Sequence, residues 1–415
     1  EKVHLNLVLH YGSESELKGR TDAAGFISSM LTAGTSKHSR REIQDTIDKL
    51  KANVRISGGG AFGGRRNFTG AGGAQPGTID VSIETMRGNL PAVIELVGEL
   101  LRESNFPESE FEKERTQALA NLEQQLSEPQ ALAPTEMRRR LAPYRPDDIR
   151  YVPTIPERIE RIKAVKLDDV KHLYKELVGA GYAEAAVVGD FDPAEITSSL
   201  NSALANWKSN KPFERITMPY REAKPDTLAI STPDKANSLF TMGMNIAIRD
   251  DDPDYPAIFM ADYILGGGGS SRLTNRIRQK EGLSYGVRSN LQASPHEPSG
   301  NISAGGICAP QNTQKALACA REEIERLIKE GVTQTELDDA RQGYLEDLKV
   351  ALSNDAGLAG MLVRNLYLER TMKFTEERIA KIKALTPDDI KAAARKYMDP
   401  DKMVVISAGD FGPTQ

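Results

Sequence analysis

An arginine and a tyrosine lie seven residues apart in the stretch Arg278-Gln-Lys-Glu-Gly-Leu-Ser-Tyr285, at a predicted helix-to-strand turn. The Arg guanidinium is a planar fork of donors that stays charged, and the Tyr hydroxyl adds one more donor. Two such donors converging on one point can hold a peptide carbonyl and stabilise the oxyanion that forms when it is attacked. We therefore predict that Arg278 and Tyr285 bind a substrate carbonyl. Periodicity alone also fits a solvated arginine and a tyrosine at the edge of the core.

A run of four glycines, Gly266, Gly267, Gly268 and Gly269, precedes this pair. The run lacks the Gly-Lys-Ser/Thr of a phosphate-binding loop and follows a predicted helix, so the pattern argues against nucleotide binding. Glycine permits a tight turn and a close approach of the backbone to a ligand. We predict that the four glycines contact bound peptide.

The composition limits the function classes. The 415 residues are too many for one core, and the net charge of −5 gives no electrostatic footprint for nucleic acid. No apolar run reaches the roughly 18 residues of a membrane span. Two cysteines exclude a disulfide framework, and none of the five histidines has a partner at ligand spacing, so we expect surface or edge histidines.

The sequence contains two copies of one repeated unit. Arg161–Val170 resembles Lys381–Ile390, and Gly189–Pro193 resembles Gly409–Pro413, both at an offset of 220 residues. Two further pairs lie at offsets of 226 and 234 residues: Glu110–Arg115 with Glu336–Arg341, and Met30-Leu31 with Ile264-Leu265. Insertions in loops would produce this gradual change in the offset between two copies of one domain.

Each copy predicts the same order of elements. Helices are expected at 21–31, 91–104 and 108–126 in the first copy and at 256–265, 312–330 and 334–353 in the second, with strands at 78–85, 184–188, 300–308 and 402–408. Adjacent strands favour an α+β fold, in which helices pack on mostly antiparallel sheets. We predict two homologous α/β sandwich domains, residues 1–207 and 234–415, joined by an aperiodic linker at 208–233.

With these features the chain resembles the pitrilysin/insulinase-type zinc peptidases in their short-subunit form. The family's Met-Leu-x-x-Gly-Thr segment appears as Met30–Thr35 and sets the register of its inverted His-x-x-Glu-His motif. The first zinc-binding His then falls on Gly25, the general-base Glu on Ser28 and the second His on Ser29. The distal Glu ligand falls near Asn121, with Glu123 close by. The resemblance therefore implies that this chain holds no catalytic metal.

The resemblance also implies a partner. In paired members of the family, one subunit carries zinc and the other carries the Arg-Tyr pair, so Arg278 and Tyr285 indicate the non-zinc subunit. We expect a homologous zinc-carrying partner with a His-x-x-Glu-His motif, peptide substrates and half of a clamshell-shaped chamber. This chain alone is expected to be inactive, with zinc only in the partner and no cofactor of its own. Arg138–Arg140 indicates either a solvated helix face or a chamber wall that attracts acidic peptides.

Other interpretations stay open. Structural core proteins of respiratory complexes resemble the same family, and so does the recognition subunit of organelle processing peptidases. The abrupt start at Glu1 suggests that upstream residues were removed, and the resemblance favours the periplasm over the cytoplasm or a mitochondrion. The glycine-rich segment from Gly58 to Gly73 is predicted to be a mobile loop or an irregular strand edge.

Overall fold

A computed structural model describes residues 2–59 and 76–412, in which two β-sheets are covered by helices. The strands are β1 (Lys2–His10), β2 (Asn53–Gly58), β3 (Thr78–Met86), β4 (Ala183–Gly189), β5 (Asp226–Ser231), β6 (Ser238–Ile246), β7 (Ser284–Ala293), β8 (Gly300–Cys308) and β9 (Val404–Gly409). The α-helices are α1 (Glu14–Leu17), α2 (Thr21–Leu31), α3 (Arg40–Lys49), α4 (Leu90–Arg102), α5 (Glu108–Gln125), α6 (Pro129–Leu141), α7 (Ile155–Ala164), α8 (Leu167–Leu177), α9 (Pro193–Leu204), α10 (Tyr255–Asp262), α11 (Thr313–Glu330), α12 (Gln334–Ser353), α13 (Asp355–Tyr367), α14 (Met372–Ala384) and α15 (Pro387–Tyr397). Most of the predicted glycine-rich loop, residues 60–73, lies outside the described residues.

The first sheet has the strand order β2-β3-β1-β4 and the second the order β5-β9-β6-β8-β7. Their strands pair antiparallel, except that β5 runs parallel to β9. The α+β class with mostly antiparallel sheets is therefore confirmed. The segment 208–233 differs from the aperiodic linker that we expected, because its last part forms β5 and joins the second sheet. The boundaries of the two domains stay a prediction.

Alternation of apolar and polar residues gives each sheet two different faces. In β1 the side chains of Val3, Leu5, Leu7 and Leu9 are buried in the first core, while the residues between them are only partly buried. In the second sheet, Phe240 and its apolar neighbours lie in a separate core. Helices cover these apolar faces because a two-residue period puts all the apolar side chains of a strand on one side.

The polar faces of the two sheets line a shared cavity of about 2070 Å³. The first sheet contributes Asn6 and Asp80, and the second contributes Asn245, Asn290 and Ser303. Polar side chains can face this space because water solvates them there, whereas burial between two packed layers would leave them without partners. The cavity is therefore a direct consequence of the strand pattern.

Two equivalent helices are exchanged between the copies. Helices α6 and α13 both follow the long helix of their copy, and their first residues lie 226 positions apart (129 and 355). Helix α6 belongs to the first copy but packs on β6 and β9 of the second sheet, where Ala133 and Met137 share a cluster with Ile406. Helix α13 belongs to the second copy but packs on β1 and β4. This exchange ties the two sheets together across the cavity.

A buried ion pair fixes the start of α12. Arg272, which follows the glycine run, bonds Glu336 through Nε at 2.7 Å and Nη2 at 2.9 Å, and it also donates to the Gly331 carbonyl at 2.8 Å. Glu336 in turn accepts the Thr333 backbone N–H at 2.8 Å in a capping box. Burial alone would raise the pKa of Glu336, but the bonds from Arg272 and Thr333 outweigh it and hold the pKa at about 2.

We predict that Arg272→Ala lowers the free energy of unfolding by about 2–3 kcal/mol, because it leaves a partly buried carboxylate without its partner. Arg249→Ala removes an exposed pair with Asp251 and should cost less than about 1 kcal/mol. Urea unfolding near pH 7 measures both changes. Equal stability of the two variants would contradict the structural role of Arg272.

Candidate functional site

Tyr285 projects from the beginning of β7 and is 79% exposed. The pairing of β7 with β8 shifts register between Ser284 and Gly286, so Tyr285 is the extra residue of a β-bulge. Bulges re-aim a side chain and are common beside active sites. The bulge therefore presents the Tyr285 hydroxyl to the outside of this chain.

Ser284 holds the bulge in place. Its hydroxyl lies 2.6 Å from the Ile307 carbonyl, to which it donates, and it accepts the Gly286 backbone N–H at 3.1 Å. The Ser284 side chain is buried, so these bonds are shielded from water. The orientation of Tyr285 is thus set by its neighbour rather than by contacts of the phenol itself.

Arg278 is exposed and lies in a π-helical segment, Thr274–Lys280, that leads into β7. Within residues 2–59 and 76–412, neither Arg278 nor Tyr285 has a hydrogen-bond or ion-pair partner. Neither residue lines the cavity between the sheets. Both predicted carbonyl ligands are therefore free donors on an outer surface of this chain. Their role as ligands stays a prediction.

The glycine run begins in the last two residues of a π-helical segment, Tyr263–Gly267, and ends before the second such segment, Thr274–Lys280. A Cβ on Gly266 would lie 2.2 Å from the Ser289 backbone nitrogen in β7, and one on Gly268 would lie 2.8 Å from the Tyr263 ring. A Cβ on Gly269 would meet nothing within 4 Å. Close packing against β7 therefore explains Gly266, and close packing against the Tyr263 ring explains Gly268. Peptide contact by the run stays a prediction.

The positions aligned with the zinc motif do not fit a metal. Gly25, Ser28 and Ser29 lie on one half-exposed side of α2, and the Ser29 hydroxyl donates to the Phe26 carbonyl at 3.1 Å. Asn121 on α5 accepts a hydrogen bond from Gln117 at 3.0 Å. Among the described residues, no group of three or more His, Cys, Asp or Glu is arranged to hold a metal ion. Glycine and neutral serine are not zinc ligands.

The second copy keeps polar groups at the corresponding positions. The offset of 234 residues aligns Ser28 with Asp262 and Ser29 with Tyr263, and the offset of 226 aligns Asn121 with Asp347. The Tyr263 hydroxyl donates to Asp347 at 2.7 Å. The sequence analysis missed this pair, although the repeat offsets were sufficient to find it.

Asp262 is buried beneath this pair. Its Oδ2 accepts the Leu291 backbone N–H at 3.0 Å, while Oδ1 has no partner within the described residues. Burial raises the pKa of Asp262 to about 7, against a smaller opposite effect of the Leu291 N–H. A carboxyl group with this environment is neutral below pH 7 and ionises at the cost of stability above it.

The expectation of surface or edge histidines is wrong for His10. His10 is 7% exposed, its Nε2 lies 2.7 Å from Glu184, and its ring stacks on Tyr367 of α13 at 4.4 Å between centroids. Sequence parity could not show this, because the covering ring belongs to the helix exchanged from the second copy. His10 therefore helps to join the two sheets.

Comparisons with known proteins agree with this architecture. The family model described as "Peptidase M16 inactive domain" matches residues 164–344. The chain is 26% identical to a protein of Helicobacter pylori described as "Non-peptidase homolog YmxG", over 75% of this chain and 70% of that protein. It is 24% identical to an uncharacterized zinc protease of Streptomyces coelicolor, over 94% of this chain and 81% of that protein. A crystal structure of a peptidase M16 inactive domain from Pseudomonas fluorescens matches with a TM-score of 0.81 at 23% identity, covering 98% of this chain and 93% of that one.

No helix within the described residues is both long and apolar enough to cross a membrane.

We predict that Gly266→Ala lowers the free energy of unfolding by about 1–3 kcal/mol, because the added methyl group overlaps β7. Gly269→Ala, with open space around its Cβ, should change stability by less than about 0.5 kcal/mol. Thermal or urea unfolding of the two variants measures the difference. If both variants matched the wild type, packing would not be the reason for Gly266.

The raised pKa of Asp262 predicts that the stability of the folded chain depends on pH. Because its pKa rises from 3.8 to about 7 on folding, the folded chain binds more protons than the unfolded chain across that interval, and Asp262 makes stability fall as pH rises through it. Asp262→Asn should therefore reduce the loss of stability between pH 5 and pH 8. The exposed Asp339→Asn serves as the control and should leave the pH profile unchanged. An Asp262→Asn profile identical to the wild type would contradict the assignment.

Proposed function

We propose that this chain is the zinc-lacking subunit of a heterodimeric metallopeptidase, because residues 164–344 match the family model described as "Peptidase M16 inactive domain". The chain itself is of the inactive type, since glycine, serine and asparagine stand where the family places its metal ligands and base. In the proposal, a homologous partner subunit carries the His-x-x-Glu-His motif and the zinc. This chain contributes a wall of the peptide chamber and the two free donors.

One observation carries the proposal: Arg278 and Tyr285 are exposed donors that have no partner within the described residues. An exposed tyrosine on a bulge clamped by Ser284 is more ordered than its exposure alone suggests. A phenol in that position contributes nothing to this chain's own core, because Tyr285 is largely exposed. Both groups lie outside the cavity of this chain, which supports a role on a bond held by another subunit.

In the proposal, Arg278 and Tyr285 act by electrostatic stabilisation of the transition state. The Arg278 N–H groups and the Tyr285 O–H donate to the carbonyl oxygen of the bond that is cleaved. As that oxygen gains negative charge, bonds from a cation and a hydroxyl strengthen, so the transition state is stabilised more than the substrate. The attack on the carbonyl carbon is left to the partner subunit, because no group of this chain at the aligned positions can supply it.

A second candidate is a structural or recognition subunit without a role in cleavage. The description of the Helicobacter pylori relative as a non-peptidase homologue favours it. In that case Arg278 and Tyr285 would contact a neighbouring protein or a peptide without affecting a chemical step. Turnover measurements separate the two candidates. The periplasmic location stays a prediction.

We predict that Arg278→Ala and Tyr285→Phe each lower kcat/KM of the complex with a zinc-carrying partner by about a hundredfold, the typical cost of removing one oxyanion donor. The assay uses a fluorogenic peptide, with this chain alone, the partner alone and the two combined. Size-exclusion chromatography should show that both variants still assemble with the partner.

Arg41→Ala and Tyr182→Phe are matched controls, because both residues are exposed and lie away from β7. Both control variants should keep the wild-type rate. Wild-type turnover by Arg278→Ala and Tyr285→Phe in an intact complex would exclude the oxyanion role. Lack of activity in the wild-type mixture would favour the structural candidate.

A further inference from the structure

The cavity between the sheets has a charge opposite to that of the whole chain. The chain has a formal net charge of −5. The described residues that line the cavity include ten arginines and five aspartates or glutamates, but no lysine, which leaves an excess of five positive charges. A concave surface with an excess of one sign of charge concentrates ligands of the other sign. An electropositive cavity in an acidic protein therefore needs an explanation.

Part of this positive charge has a structural role. Arg370 forms a two-bond pair with Asp250, each bond 2.7 Å long, and Arg215 pairs with Glu297. Arg150, also in the cavity wall, pairs with Glu14 and Asp148. The guanidinium groups of these three arginines are therefore already paired with carboxylates of the fold.

Four other arginines of the wall have no ion-pair partner within residues 2–59 and 76–412: Arg55, Arg158, Arg221 and Arg364. They come from four separate elements. Arg55 belongs to β2, Arg158 to α7 and Arg364 to α13, while Arg221 precedes β5 and lies over the Tyr144 ring at 4.5 Å. The free positive charge is thus distributed around the cavity rather than concentrated at one point.

Arg158 is the most informative of the four, because it is half-buried and still lacks a carboxylate at ion-pairing distance among the described residues. Burial lowers the pKa of Arg158, and the more distant Asp22 only partly offsets this effect. On the same wall, α5 presents the neutral amides of Asn121 and Gln125. A partly desolvated cation costs free energy that a bound anion would recover.

We infer that this cavity binds peptide segments that carry carboxylates, and that Arg158 is the anchor for a carboxylate. The inference rests on the proposed function, because it names the class of peptide that the chamber accepts. Arginine forks match the two oxygens of a carboxylate, which lysine does not do. The volume of about 2070 Å³ exceeds that of small-molecule pockets, which reach about 1,000 Å³, so a peptide segment suits it better than a metabolite.

Nucleic acid is the less suitable polyanion. A protein that binds it needs a basic outer surface that the phosphate backbone can follow, whereas this chain is acidic overall and the arginines without ion-pair partners line a concave cavity. A short acidic peptide carries the matching charge and does not need a continuous basic outer surface.

The test measures binding to this chain alone, without a partner subunit. Three fluorescein-labelled peptides of equal length are compared by fluorescence anisotropy at low ionic strength: one rich in Glu, one with Gln in place of Glu, and one with Lys in place of Glu. We expect the Glu peptide to bind more tightly than the other two, and its affinity to fall as salt is added. Arg158→Gln should weaken binding of the Glu peptide by about tenfold, and Arg364→Gln by less, because Arg364 is more exposed.

Two variants with the same loss of charge outside the cavity are the controls, Arg41→Gln and Arg395→Gln. Both should bind the Glu peptide as the wild type does. Circular dichroism checks that each variant is folded, and Arg158→Lys, which keeps the charge but loses the fork, should show intermediate affinity. Because this assay contains no partner subunit and measures no turnover, failure of the oxyanion role would leave this result unaffected.

Three outcomes would overturn the inference: no binding of the Glu peptide, equal binding of the Glu and Lys peptides, or an unchanged affinity in folded Arg158→Gln. Tighter binding of a single-stranded oligonucleotide, displaced by none of the peptides, would also overturn it. Binding of the Glu peptide that depends on Arg158 but not on Arg41 or Arg395 would support it.

Discussion

The arrangement of this chain depends on one constraint, the two-faced character of its sheets. Apolar side chains alternate with polar ones in each strand, and helices cover the apolar faces. The polar faces must then remain in contact with water, so they turn toward a common cavity instead of packing together. Exchange of α6 and α13 between the copies closes that cavity without filling it. The position of every candidate site residue, inside or outside the cavity, follows from this geometry.

The two copies carry different kinds of residues at the positions that the repeat offsets align. In the first copy, α2 and α5 carry only glycine, serine and asparagine at the positions aligned with the zinc motif, and the Ser29 and Asn121 side chains bond within their own helices. In the second copy, the equivalent positions hold a buried carboxyl, Asp262, and the Tyr263–Asp347 pair. The free donors Arg278 and Tyr285 lie just beyond that second cluster along the chain. The first copy thus lacks metal ligands at the aligned positions, whereas the second copy has polar groups there.

Much of the fold was predictable because it depends on local patterns. The limits of α2, α12 and β8 agree with the sequence analysis, since their periodicity and flanking turn residues are local features. Strand β5 was not predicted, because its six residues become a strand only by pairing with β9, nearly two hundred positions away. The burial of His10 was missed for a similar reason, as Tyr367 covers it from a helix of the other copy. Within the site, the repeat offsets could have identified Asp262 and Asp347, but the depth of Asp262 is a property of packing.

By itself, the sequence indicated which side chains stand at the positions aligned with the zinc motif, because residue types are read directly and the repeat offsets identify the positions concerned. It also predicted two copies of one α+β unit. Only the tertiary structure decided that Tyr285 stands on a bulge held by Ser284, that Gly266 packs on β7, and that four arginines without ion-pair partners in the described residues surround one cavity. The physical reason is that burial, exposure and pairing are relations between distant segments, which no local pattern of residues contains.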